Sequence, residues 1–353
     1  MDGEKPIIRG RGSQSNPPIR FESIVRVPEN DETPPSCPAT QILTDSSRTI
    51  IAYNQSPDVG FDASVNAYRG CEHGCAYCYA RPTHEYLGLS AGLDFETKIV
   101  VKENAPELLR QELSDRGWKP KVLAMSGVTD PYQPIERKLR LTRRCLEVLL
   151  EFRNPVIVIT KNHGVTRDLD LLSELARFES AAVFISITTL DPDLCRVLEP
   201  RTSRPEKKLE AVSLLSRAGI PTGVMVAPVI PGLTDHEIPA IVEAAAQAGA
   251  RFSGMVPLRL PYAVAPLFES WLDTHFPGKK SKVLNRIRSI RGGKLNDPRF
   301  GSRMEGEGIF ADQIRALFDL ACKKARIREN SLALSTRHFR PSRQKQLALF
   351  DIN

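Results

Sequence analysis

Cys71, Cys75 and Cys78 fall within one short run, Cys71-Glu72-His73-Gly74-Cys75-Ala76-Tyr77-Cys78. Thiolates this close together can converge on one soft-metal centre, because only a short loop joins them. A closed structural zinc site needs four ligands and usually draws its thiols from two separated pairs. Three thiolates around a four-iron, four-sulfur (4Fe-4S) cluster leave one iron without a protein ligand, open to a substrate or cofactor. The competing readings of these residues are a structural zinc loop or three buried cysteines.

The surroundings narrow the choice. The run reads C-x-x-x-C-x-Φ-C with Tyr77 as the aromatic, and it resembles the signature of the radical SAM superfamily. The flanks, YRGCEHGCAYCYARP at 68–82 and SGVTDPYQPIE at 126–136, resemble the spore photoproduct lyase-like branch, a likeness running from about residue 54 to 327. The resemblance implies a 4Fe-4S cluster on Cys71, Cys75 and Cys78, with S-adenosylmethionine bound through its amino and carboxylate groups at the open iron. Reductive cleavage then gives methionine and a 5'-deoxyadenosyl radical that takes hydrogen from the substrate. An electron donor such as flavodoxin or ferredoxin is implied as well. The hard chemistry belongs to the cofactors, and the protein positions and shields them.

Further site residues follow from the same resemblance. Ser126, Gly127 and Asp130 stand where the superfamily usually carries a glycine-glycine-glutamate element gripping the methionyl amino group. This chain departs from that triplet, and a turn capped by Asp130-Pro131 is the other reading. Ser186 interrupts an apolar strand, where an unpaired hydroxyl is costly, so it is expected to face the interior and reach cofactor or substrate. Glu199-Pro200-Arg201 resembles a recurrent element of the branch; a buried Glu–Arg pair there either holds the cofactor or braces a loop. Tyr77 completes the expected cofactor surroundings. Cys195 is either a hydrogen donor to a product radical or packing, and His84 is either catalytic or hydrogen-bonded structure.

These residues need elements to position them. Apolar runs at 121–125, 155–160, 182–188, 222–227 and 252–257 read as buried strands, with a first strand near 64–70. Helices are expected at 104–117, 141–152, from about 168, and at 205–218, 235–249 and 309–326. Short strands alternating with helices imply parallel βαβ units wound by right-handed crossovers. The fold class is therefore α/β, a partial (β/α)6 TIM-like barrel with a largely irregular N-terminal segment and a flexible C-terminal tail. Reactive groups in such folds sit on loops after strand C-termini, which is where the cysteines fall. The expected division is an irregular segment at 1–60, the barrel at 61–260, a helical extension at 261–330 and a basic tail at 331–353.

With 353 residues, 41% hydrophobic and 26% charged, a large core is possible. Seven cysteines, three of them clustered, argue against a disulfide framework and for a reducing, cytoplasmic setting. The first residues lack the apolar segment of a secretory signal. The longest uncharged run, 218–234, is broken by three prolines and three glycines, so it is no membrane span. The net charge of +7 is uneven: seven basic residues and no acid lie between Lys279 and Lys294, and a second basic cluster covers 337–345. Such patches suit a polyanion, although a solvated basic helix face has the same composition. Finally, Gln346, Leu347, Leu349 and Phe350 resemble the Q-L-x-L-F peptide by which bacterial replication and repair proteins dock on the sliding clamp. The expectation is a radical SAM enzyme acting on nucleic acid, in the manner of DNA lesion repair. The alternatives are a peptide, RNA or small-molecule substrate, or a DNA-associated protein with a structural cluster.

Overall fold

The strands anticipated from the apolar runs form one sheet, except that the expected first strand near 64–70 is split and its second half lies in a separate sheet. The computed structural model describes residues 8–21, 38–329 and 332–341. Eleven strands occur among them: β1 (Gln41–Thr44), β2 (Ile51–Tyr53), β3 (Ala63–Val65), β4 (Tyr68–Arg69), β5 (Lys98–Val101), β6 (Leu123–Met125), β7 (Val156–Thr160), β8 (Ala181–Ser186), β9 (Thr222–Val229), β10 (Phe252–Pro257) and β11 (Arg328–Glu329). The main sheet runs β11-β10-β9-β8-β7-β6-β3-β2. From β3 to β11 every pairing is parallel, and only β2 joins antiparallel at the edge. The six central parallel strands form the expected partial barrel, in a strand order that is open rather than closed.

Helices cover the sheet because their apolar residues recur at helical spacing. In Leu141–Phe152 the buried apolar positions are Leu141, Cys145, Leu146, Val148, Leu149 and Phe152, one stripe of a 3.6-residue period. They meet Val156, Val158 and Val183 in the main core. Cys145 and Cys322, on two of these helices, are core residues.

Within the N-terminal segment the described residues include two short strands. β1 pairs with β5 and β5 with β4 in a separate three-stranded sheet. Residues 8–21 form no regular element but lie against the cysteine loop, held by side-chain contacts described below. Cys37 and the clamp-like residues Gln346, Leu347, Leu349 and Phe350 fall outside the described residues.

After β10 the chain builds a second core. Leu258, Leu260, Val264, Phe268, Trp271, Val283 and Ile287 pack with Cys75, Ala76, Tyr77, Leu194 and Leu198. The extension therefore supports the cysteine loop directly. No helix among the described residues is long and apolar enough to cross a membrane.

Candidate active site

The cysteine loop leaves β4 and is folded back on itself by two glycines with positive φ, Gly70 (+80°) and Gly74 (+66°). Neither tolerates a side chain. A Cβ on Gly70 would lie 2.8 Å from His84, and one on Gly74 would lie 2.6 Å from a Glu96 oxygen. Glu96 is fully buried and anchors the loop from below. It accepts the N–H groups of Gly12 (3.0 Å) and Ser13 (2.9 Å) and pairs with Arg81 at 2.5 Å. Arg81, equally buried, donates to the carbonyl oxygens of Cys75, Ala91 and Gly92. His84 donates Nε2–H to the Lys98 carbonyl (2.9 Å) and meets Phe95 edge-on. It is structure, walled in beneath the loop.

Above, the loop lies across the C-terminal ends of the parallel strands. Tyr77 donates its hydroxyl to Glu199 and stands 3.2 Å from the Thr188 hydroxyl, just beyond β8. Glu199 has no exposed side-chain surface and is held by Lys161 (3.1 Å), directly after β7, and by Lys208 (2.5 Å). Burial alone would raise its pKa, but the two lysines hold it far below the usual carboxylate range. Lys161 also donates to the Ala227 carbonyl in β9 (2.8 Å). One buried network thus joins the loop to three strands.

A second network fastens the other side. His73 faces Asp130 at 3.4 Å and the Asn162 amide at 3.1 Å. Burial opposes its charge, yet Asp130 and Cys71 raise its pKa to about 10. Asp130 also accepts the Thr160 hydroxyl (2.7 Å) and the Lys161 (2.7 Å) and Tyr132 (2.8 Å) N–H groups. Its carboxylate is thereby occupied within the protein. Gln133 spans the loop, accepting from Glu72 N–H (2.9 Å) and donating to the Gly70 carbonyl (3.2 Å).

The three thiols are enclosed by this scaffold, Cys71 and Cys75 buried and Cys78 partly so. They share one electrostatic neighbourhood. Burial, then the Glu199 carboxylate, push the Cys75 thiol up, with Cys78 and Cys71 adding to the effect. Burial, then Cys71, raise Cys78 to about 11. Among the described residues no three His, Cys, Asp or Glu side chains crowd one point closely enough for a single metal ion. Three thiols on one glycine-turned loop fit a polynuclear cluster, whose irons are separate corners and whose positive charge stabilises thiolates.

The other expected residues are distributed unevenly. Ser126 follows β6 at φ +136°, an uncommon conformation for a residue with a side chain. A Cβ on the neighbouring Gly127 would lie 2.6 Å from the Ser64 hydroxyl. Ser186 ends β8, and its hydroxyl has no hydrogen-bond partner among the described residues. Ser126 and Ser186 are thus available at strand ends, the Gly127 carbonyl accepts the Tyr79 hydroxyl (3.3 Å), and Tyr77, Asp130 and Glu199 are engaged with protein partners. Glu199 and Arg201 do not pair with each other. Arg201 reaches Glu72 (3.3 Å) and binds the His73 carbonyl through its backbone N–H (3.2 Å). Cys195 is packed near Glu199 and Thr202.

Lys161, Lys208, Gln133 and the Arg81–Glu96 pair did not stand out in the sequence. Lys161 could have been found from its position right after a strand. Lys208 carries no such signal, being one of several charged residues on an amphipathic helix.

The comparisons with known proteins agree with this architecture. The radical SAM superfamily model matches residues 65–245. The chain belongs to the radical SAM superfamily. An uncharacterised protein of Mycobacterium tuberculosis is 37% identical over 244 residues, 68% of this chain and 71% of the relative. The radical SAM Nalpha-GlyT isomerase of Pseudomonas phage M6 is 27% identical over 222 residues, 62% of this chain and 43% of that protein. Spore photoproduct lyase complexed with dinucleoside spore photoproduct shares the fold, with TM-score 0.58 at 16% identity, over 82% of this chain and 79% of the lyase. The protein is accordingly a radical SAM enzyme, using a 4Fe-4S cluster and S-adenosylmethionine.

Proposed function

We propose that this enzyme acts on nucleic acid, DNA foremost, in a repair-like or modifying reaction. The observation that carries the reading is the position of the basic helix Lys280–Ser289. It buries Val283, Leu284 and Ile287 and leaves Lys282 exposed. The side chains of Lys282 and Arg286 pass within 3.7 Å of where a Cβ on Gly232 would be. Gly232 lies just after β9, so the helix lines the rim of the sheet end that bears the cysteine loop. Cations there can neutralise the phosphates of a strand whose reacting part enters the mouth. A fold shared with a lyase bound to a dinucleoside lesion supports the same reading.

In this proposal Cys71, Cys75 and Cys78 hold the cluster. Bound at that cluster, S-adenosylmethionine supplies a carbon-centred radical that abstracts hydrogen from substrate. Ser126, Gly127 and Ser186 offer hydroxyl and backbone groups to the cofactor, while Tyr77, Asp130 and Glu199 keep the loop in register over the strand ends. Packing of the second core shields Cys75 from water, and Cys71 is buried against Ala80 and Phe95. The catalytic part is residues 61–260, 261–330 is an extension bracing it, and 331–353 is a tail ending in a sliding-clamp peptide at Gln346, Leu347, Leu349 and Phe350. The reductant is a flavodoxin- or ferredoxin-type donor, and the setting is cytoplasmic.

The test is to incubate reduced, reconstituted enzyme with S-adenosylmethionine and irradiated or untreated DNA. Both 5'-deoxyadenosine and the mass of the digested nucleosides are then followed. DNA-stimulated 5'-deoxyadenosine release with a changed nucleoside mass is expected. Cofactor cleavage indifferent to every DNA and RNA offered would contradict the substrate class and point to a peptide or small molecule.

A further inference from the structure

We infer that Arg259, with Tyr79 beneath it, forms an oxyanion subsite at the mouth of the barrel that takes a backbone phosphate of the substrate strand. The inference rests on the nucleic-acid reading above and names a contact for it.

Arg259 lies two residues past the end of β10, between Leu258 and Leu260, each only 1% exposed. Its backbone is clamped on both sides. Leu258 N–H donates to the Val229 carbonyl (2.8 Å), and Leu260 N–H donates to Leu295 (3.2 Å). The buried Arg291 donates to the Pro257 and Leu258 carbonyls on one side and to the Ser302 and Arg303 carbonyls on the other. The side chain of Arg259 is therefore aimed by a rigid frame.

What it is aimed at is not another protein charge. Arg259 is half-buried, yet it has no ion pair or hydrogen bond among the described residues; its contact is the Tyr79 ring, 4.7 Å from the guanidinium. Burial lowers its pKa, and the Arg303 charge opposes it further. The nearby carboxylate, Asp58, is committed to Arg303 at 2.5 Å. A half-buried guanidinium with five donors and no protein acceptor is open to an incoming anion. The planar fork suits a phosphate or a carboxylate.

Tyr79 fixes where that anion would sit. It is the residue after Cys78, its hydroxyl donates to the Gly127 carbonyl (3.3 Å), and its ring carries Arg259. One side chain thus links the loop after β6 to the end of β10 beside the cysteine loop. Tyr79 is 47% exposed, and Phe300, on which Arg303 rests, is 63% exposed. The subsite faces solvent at the rim, where an extended strand reaches it, rather than a closed floor. The same oxyanion chemistry could come from the cofactor's carboxylate, and the test separates the two sources.

Holoenzyme and its Arg259→Ala and Arg259→Gln variants would be titrated with a short fluorescein-labelled single-stranded DNA across a salt series. S-adenosylmethionine affinity would be measured in parallel by equilibrium dialysis. The expected result is a roughly tenfold loss of DNA affinity in both variants, a slope of log K against log salt shallower by about 0.7, and unchanged cofactor affinity. Melting of the free variants reads out folding; the glutamine keeps the packing of the stem. DNA binding and slope unchanged from the unaltered enzyme would overturn the subsite alone. A loss of cofactor affinity in place of DNA affinity would assign the anion to the cofactor carboxylate and overturn it too. Failure of the unaltered enzyme to bind DNA would instead sink the nucleic-acid reading and the subsite with it.

Discussion

Glu199 shows how much of this site is built from residues that do no chemistry themselves. It neutralises two lysines, orders Tyr77 and Thr188, and thereby fixes the loop between Cys75 and Cys78. Replacing it by glutamine leaves Lys208, with no exposed side-chain surface, short of its counter-charge. Glu199→Gln is expected to cost about 3–5 kcal/mol in chemical denaturation of the apoprotein, and a loss below 1 kcal/mol would contradict the bracing role. Its pH dependence has a definite sign. The folded pKa lies below the ordinary 4.5, so its contribution is present above that value and is lost as pH falls below it. His84 adds a second acid-side loss, at higher pH. Burial holds its pKa at about 4, below the ordinary 6.5, so stability is full above 6.5 and declines as pH drops toward 4. That decline amounts to about 3 kcal/mol, and His84→Leu should flatten it in denaturation curves at pH 7, 5.5 and 4.5. A variant curve parallel to the native one would contradict the assignment. The cysteine spacing could be read without a structure because three thiols must be near in sequence to share a short loop. The partners of Glu199 could not, because Lys161 and Lys208 are brought to it only by the packing of β7 and a later helix.

Among the elements, the alternation of apolar runs with amphipathic helices made β6 to β10 and their helices legible, since strand and helix periods differ so plainly. Of the small sheet of β1, β5 and β4, only β4 fell within an anticipated strand, the run 64–70. Its strands are two to four residues long, and β1 is exposed at every position, so no alternating pattern marks it. The strap at 8–21 was also hidden in a polar, proline-containing sequence. It is held by hydrogen bonds to buried Glu96, by burial of Ile8 and by one close backbone approach. A Cβ on Gly12 would lie 1.8 Å from the Gly74 carbonyl. Gly12→Ala should therefore lift the strap at a local cost of roughly 1–3 kcal/mol. Faster amide exchange at Gly12 and Ser13, with β7 and β8 unchanged, is the expected signature. Unaltered exchange at Gly12 and Ser13 would mean the strap is not seated on the loop.

Over the whole molecule, the two basic clusters do not share a face. Helix Lys280–Ser289 stands at the rim with the cysteines. The described part of the second cluster runs past the opposite ends of the strands, where Arg340 N–H donates to Phe152 (2.8 Å) and His338 meets the Phe178 ring. Composition alone could not separate them, because charge counts carry no direction. The extension after β10 is likewise inseparable from the site, since Trp271 donates to the Val197 carbonyl (2.9 Å) and shares its core with Cys75. The architecture has one centre, the three-thiol loop spread over the strand ends, and its most direct test is chemical. The protein would be reconstituted anaerobically with iron and sulfide, reduced with S-adenosylmethionine present, and assayed for 5'-deoxyadenosine beside Cys71→Ala, Cys75→Ala, Cys78→Ala and the core variant Cys145→Ala. The account predicts iron binding and 5'-deoxyadenosine release in the unaltered protein and in Cys145→Ala, with cleavage abolished in the other three. Cleavage persisting in Cys75→Ala, or a full cluster in the unaltered protein that never cleaves S-adenosylmethionine, would contradict it.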